Sequence, residues 1–190
     1  SAKTSPNCPP TGGPAAGSDI MIGNGHNNRY FQGQMDDVRI YNRDLSASEI
    51  SDLASQTEVS SGLIHYFKLD HVAANDVAYN SAAPIPDSGT LVNMTAADWV
   101  TGEIDRCLDF DGDGDYVSIP NEAEYDLRTA ITVSCWIKVR SFTDNWQAIV
   151  TKGDSAWRLH RNNGGPGVHW ACTGLSGSWS VGTGTAVNDG

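Results

Sequence analysis

The chain has 190 residues, long enough for one sandwich-sized domain with a substantial core and too short for two complete ones. A formal net charge of -11, from 23 acidic against 12 basic residues, leaves no basic stripe to neutralise a phosphate backbone, so nucleic acid and anionic membrane surfaces are not expected as partners. No apolar run approaches the roughly 20 residues that span a bilayer, and no charged-then-apolar leader opens the chain, so a soluble, possibly processed piece with no membrane insertion is expected.

In chain order, residues 1–18 are rich in Pro, Gly, Ser and Thr and read as a loop or arm that Cys8 could pin down. A short apolar strand at Ile20-Met21-Ile22 ends in the turn signal Gly23-Asn24-Gly25, and a longer strand over residues 31–42 follows; the two are expected to pair as a hairpin. Residues 44–54 read as the one convincing helix, with Ser46 as cap, Glu49 completing a capping box, and Ile50, Leu53 and Ala54 forming a stripe. Residues 57–61 are a polar connector, where a domain boundary would fall.

Everything beyond reads as β: residues 63–69, 107–110, 116–119, 131–139, 147–151, 157–160 and 168–172 are short β-branched or aromatic runs between Gly, Asp and Asn turns. Residues 71–106 are long for a loop and should be ordered by a ligand, an ion or packing of Trp99. Four cysteines without CxxC spacing argue against a zinc site, and Cys135 with Cys172, both in predicted strands, is the expected disulfide. Two buried thiols are the alternative.

Several blocks resemble laminin-G-like jelly rolls of the concanavalin A-like lectin/glucanase superfamily. They are residues 33–45 with Met35-Asp36-Asp37-Val38-Arg39-Ile40-Tyr41, residues 62–70, residues 107–120, residues 131–138 and residues 148–153. The resemblance implies an all-β antiparallel sandwich with one short helix. It also shows a rotated order: residues 19–56 resemble the closing strands and helix of such a domain, and residues 62–190 its opening and central strands. These belong to the same sandwich if the domain is permuted, and to the next repeat if the chain spans a tandem pair. The family's Trp-His-His strand and its Tyr-Val-Asp-Gly hairpin do not appear. A partner chain that supplies such strands, by exchange or in a homo-oligomer, is one way to complete the fold.

For chemistry, Asp109 to Asp115 alternate carboxylates as a calcium loop does, but the twelfth position is Pro120 and the flanks are strands, so an EF-hand is rejected and a plain turn competes with a Ca²⁺ role. Relatives of the resembled family often hold a structural Ca²⁺ near the edge formed by residues 70–93. Asp70, Asp76, Asp87 and Asp111, with Asp36 from the closing strand, are the candidate ligands, and solvated loop carboxylates are the plainer reading. The glutamate pair of the family's glucanases is missing, which argues against catalysis. Trp146, Trp157 and Trp179 are the candidate sugar-stacking residues, whereas Trp136 is assigned to the core. The expected function is a non-catalytic extracellular recognition module for a glycan or an extracellular protein, Ca²⁺-stabilised. The alternatives are a structural subunit of a surface fibre or adhesin and, more distantly, a glycoside hydrolase or lyase.

Overall fold

A computed structural model describes residues 19–70, 77–82, 87–127, 129–154, 156–172, 179–181 and 187. Its strands are β1 (Ile20–Ile22), β2 (Gln32–Tyr41), β3 (Leu63–Phe67), β4 (Val77–Ala78), β5 (Gly89–Val92), β6 (Trp99–Thr101), β7 (Arg106–Asp111), β8 (Tyr116–Ile119), β9 (Thr132–Val139), β10 (Ala148–Lys152), β11 (Trp157–Arg161), β12 (Val168–Cys172) and β13 (Trp179–Val181), with the helix α1 at Ala47–Ala54. Two antiparallel sheets face one another. One runs β13-β12-β11-β10-β1-β8-β5-β4, and the other is built on β2, flanked by β9 on one side and by β3 and β7 on the other, with β6 beyond β7.

Strand parity explains the sandwich. Ile20, Ile22, Val117, Ile119 and Val150 point inward from the first sheet, and Met35, Val38, Ile40, Leu108 and Phe110 from the second; all are fully buried in one core. The residues that resemble a closing segment lie at the centre of this arrangement. β1 is bonded between β8 and β10, and β2 carries the second sheet. The expected hairpin of residues 20–42 therefore does not form: β1 and β2 belong to opposite sheets. β1 instead satisfies its backbone groups on both edges, against β8 and β10, and Phe31, fully buried between β1 and β2 in sequence, packs edge-on against Phe110 of β7.

β2 changes partner part-way along. Residues 32–35 pair with β7 and residues 38–41 with β3, while β9 follows the whole strand with a register shift between Asp36 and Arg39. Asp37 takes a left-handed φ of 57° at that bulge, which lets two successive aspartates turn away from the core without breaking the strand. Gly33, at φ 144°, sits where any Cβ would strike the Lys138 carbonyl of β9.

The helix forms where the sequence places its cap, three residues later than the start of the predicted segment. Ser46 accepts from the Glu49 amide and Glu49 answers the Ser46 amide at 2.8 Å, while Arg43 holds Glu49 at 2.6 Å. Tyr41, Leu45, Leu53 and Val59 make a small second core beneath it. Ser46→Ala removes one reciprocal bond of an exposed cap and should lower unfolding free energy by about 1 kcal/mol in urea titration; an unchanged midpoint would mean that the cap is not formed in solution.

Trp99 is buried and anchors the long stretch before β7, as expected of a packed aromatic. The expected disulfide is corrected. Cys107 and Cys135 are free thiols and Cys172 is disulfide-bonded, so the Cys135–Cys172 bridge does not exist; Cys8 lies outside the described residues. Cys135 is on β9 of one sheet and Cys172 on β12 of the other, and the strand pairing never makes them neighbours.

Candidate functional site

The outward side of the β2 sheet carries the site. β9 sends Val133, Cys135 and Ile137 to the core, so Ser134, Trp136 and Lys138 face out; Trp136 stands opposite Asp36 of β2, and Lys138 opposite Gln34. Trp136 is thus half-buried on the surface side and not part of the core, a correction of its expected place. With Glu103 and Cys107 these side chains line a depression of about 240 Å³. Its chemistry is one flat indole face with an amide, two carboxylates and an ammonium around it. That volume is below the roughly 300–1,000 Å³ of sites for drug-sized ligands, and it suits a single sugar ring or one side chain.

Beside the depression, the bulge in β2 gathers acid. Asp37 is paired with Arg39 at 2.6 Å, and Arg39 also donates to the Tyr66 hydroxyl at 2.8 Å. Asp36 is almost fully buried. Its Oδ2 accepts from the Ile104 amide at 2.8 Å, while its Oδ1 has no hydrogen-bond partner among the described residues. The Oδ1 of Asp70 is buried and unpartnered in the same way. Burial, with the Asp37 and Asp70 carboxylates adding to it, pushes the Asp36 carboxyl up to about 6; burial also raises Asp70, with help from Asp105 and Asp37. Burial pushes the Cys107 thiol up to about 11, so it is an inert wall at neutral pH.

Of the five expected cation ligands, the fold brings Asp36 and Asp70 together and places Asp87 and Asp111 elsewhere. Asp111 sits in the turn between β7 and β8, where its Oδ1 accepts from the Asp113 amide at 2.7 Å and its own amide donates to Asp115 at 3.0 Å; that is the plain turn. Asp87 is bonded by the Asn121 amide group at 2.5 Å on another edge, and Asp76 lies outside the described residues. Among the described residues, no three His, Cys, Asp or Glu side chains form a group that could hold a metal ion. A hard cation at Asp36 and Asp70 would have to complete its shell with backbone carbonyls and water.

The expected stacking residues also divide. Trp157 is a core residue: it is 3% exposed, stacks on Trp170 at 5.8 Å and donates its indole N–H to the Tyr125 carbonyl. It faces inward because it sits in register with Lys152 and Cys172, whose strands turn that parity to the core. Trp179 lies in β13, but its side chain is outside the described residues. Trp146 is half-buried on the loop before β10, at a left-handed φ of 60°, and its ring lies over His160 and His169. Those histidines are buried. Alternation along residues 132–139 was the available signal for Trp136, since the apolar residues at 133, 135 and 137 leave it on the other face.

Two facing antiparallel sheets with one capped helix, and a depression lined by Trp136 on a sheet face, make a β-sandwich of the jelly-roll type. A family model described as the concanavalin A-like lectin/glucanases superfamily matches residues 2–51 and 111–190, and the chain belongs to that superfamily. Comparison with curated proteins and with solved structures gave no match. The superfamily suggests a carbohydrate- or protein-binding module, and strands of the two matched segments pair with each other in both sheets, β1 with β8 and β10 and β2 with β9.

Proposed function

We propose that the chain is a non-catalytic recognition module of an extracellular protein that binds a carbohydrate in the depression floored by Trp136. The observation that supports this reading is the half-buried Trp136 indole lining, with Gln34, Lys138 and Glu103, a space of about one ring. A sugar's C–H face stacks on indole while its hydroxyls take hydrogen bonds from the rim, which gives selectivity without a reacting group. Trp136→Ala should weaken glycan binding at least tenfold, about 1.4 kcal/mol, in calorimetry against a glycan panel, while Trp146→Ala leaves it unchanged. Binding that survives Trp136→Ala, or no binding to any glycan at millimolar concentration, would overturn the reading.

The same proposal includes a structural Ca²⁺ beside the depression. What supports it is the pair of buried, unpartnered carboxylate oxygens on Asp36 and Asp70, whose mutual repulsion a dication would relieve. The ion would fix the β2 bulge and so the edge of the depression. Ca²⁺ should raise the melting temperature of the chelator-treated protein, and Asp36→Asn should abolish that rise. An equal rise in both proteins would place the ion elsewhere.

A further inference from the structure

His160 and His169 face each other across β11 and β12, on the side of the sheet away from the core, and are only 1% and 3% exposed. The ring of Trp146 lies over both, with centroids 5.2 and 5.8 Å away. The hydrogen bonding defines the tautomers. Nδ1 of His160 lies 2.7 Å from the Arg161 carbonyl, which can only accept, so that nitrogen carries the proton and Nε2 keeps its lone pair. That lone pair points at Nδ1 of His169, 3.3 Å away, which therefore donates. This contact is longer than the usual 2.7–3.2 Å of an N–H hydrogen bond to oxygen, so the pair is not tightly closed.

We propose that the two imidazoles are a bidentate site for a borderline transition-metal dication of the Zn²⁺ class. Two Zn–N bonds of about 2.0–2.1 Å subtend nitrogens 3.3 Å apart at roughly the tetrahedral angle. The Arg161 carbonyl on the far nitrogen of His160 is the outer-shell partner that ligating histidines require to hold their orientation. On binding, the proton of His169 moves from Nδ1 to Nε2, so Nδ1 gains a lone pair and no proton is released. With Nδ1 of His160 donating to the Arg161 carbonyl, its Nε2 already stands in the form that ligates. Imidazole nitrogen selects Zn²⁺ over the oxygen-seeking Ca²⁺ that Asp36 and Asp70 suit. The two rings supply two of the metal's ligands, so the affinity is moderate.

The test uses the intact protein and Zn²⁺ alone. Calorimetry should give one site, weakened tenfold or more in both His160→Gln and His169→Gln and unchanged in His26→Gln, the exposed control. A second measurement needs no variant: in histidine-¹⁵N spectra of the wild type, Zn²⁺ should shift one ring at Nε2 and a second at Nδ1 among the five histidines. No Zn²⁺ binding up to millimolar concentration, wild-type affinity in either histidine variant, or shifts confined to other rings would overturn the site.

Discussion

Trp157→Ala is expected to cost about 3–5 kcal/mol of unfolding free energy without touching the ligand-binding face. The side chain is 3% exposed, packs on Trp170 with rings 17° from parallel, and ties β11 to residues 122–125 through its N–H bond to Tyr125. Truncation leaves a cavity bounded by rigid strands, and the Tyr125 carbonyl loses a donor in a place that water does not reach. Urea unfolding followed by circular dichroism measures the loss. A change below about 1 kcal/mol would mean that the indole is not in the core. Trp136→Ala should behave in the opposite sense, with a small effect on stability and a large one on binding, so the two variants separate packing from recognition.

Acidification should expose His65. The ring is fully buried between Phe67 and Tyr125, 6.1 and 4.2 Å away, with Nδ1 at 3.1 Å from the Asn80 amide group. Burial lowers its pKa from 6.5 to about 4, only partly countered by the Asp87 carboxylate. Because the folded value lies below the unfolded one, the stability this group contributes is complete above pH 6.5 and is lost as pH falls towards 4. A shift of that size corresponds to about 3 kcal/mol. Asp115 acts in the other direction: burial raises its carboxyl to about 6, so its cost to the folded state at neutral pH is relieved as pH falls from about 6 to 4. The wild-type curve alone mixes these two with Asp36 and His160, which burial shifts in the same range. The stability gap between wild type and His65→Gln isolates the histidine, and it should narrow by about 3 kcal/mol between pH 7 and pH 4. A gap independent of pH would show that His65 is not buried as a neutral ring.

Much of the fold was legible in the chain. Ser46 and Glu49 announced the helix through a local reciprocal bond, and the β-branched runs near 107–110, 116–119, 131–139 and 168–172 became strands within a residue of their expected ends. The Asp-Gly run at residues 109–115 announced its turn in the same local way. Sites were less legible. Trp136 and Trp157 both sit in short aromatic runs, yet one faces out and the other in, because inward parity depends on the strand that each pairs with. Asp36 and Asp70 were named as partners, but Asp87 and Asp111 carry the same chemistry at similar spacing and lie elsewhere.

By itself, then, the sequence determined what short-range forces decide: an all-β sandwich with one capped helix, a net acidic charge, and the superfamily to which the chain belongs. Only the tertiary structure decided that β1 and β2 part to opposite sheets, that Cys135 stays free, that Trp136 floors a depression and that His160 meets His169. Each of these is a contact between residues distant along the chain or a choice of strand face. Local propensity is the same for either outcome, and the burial of one common core selects between them.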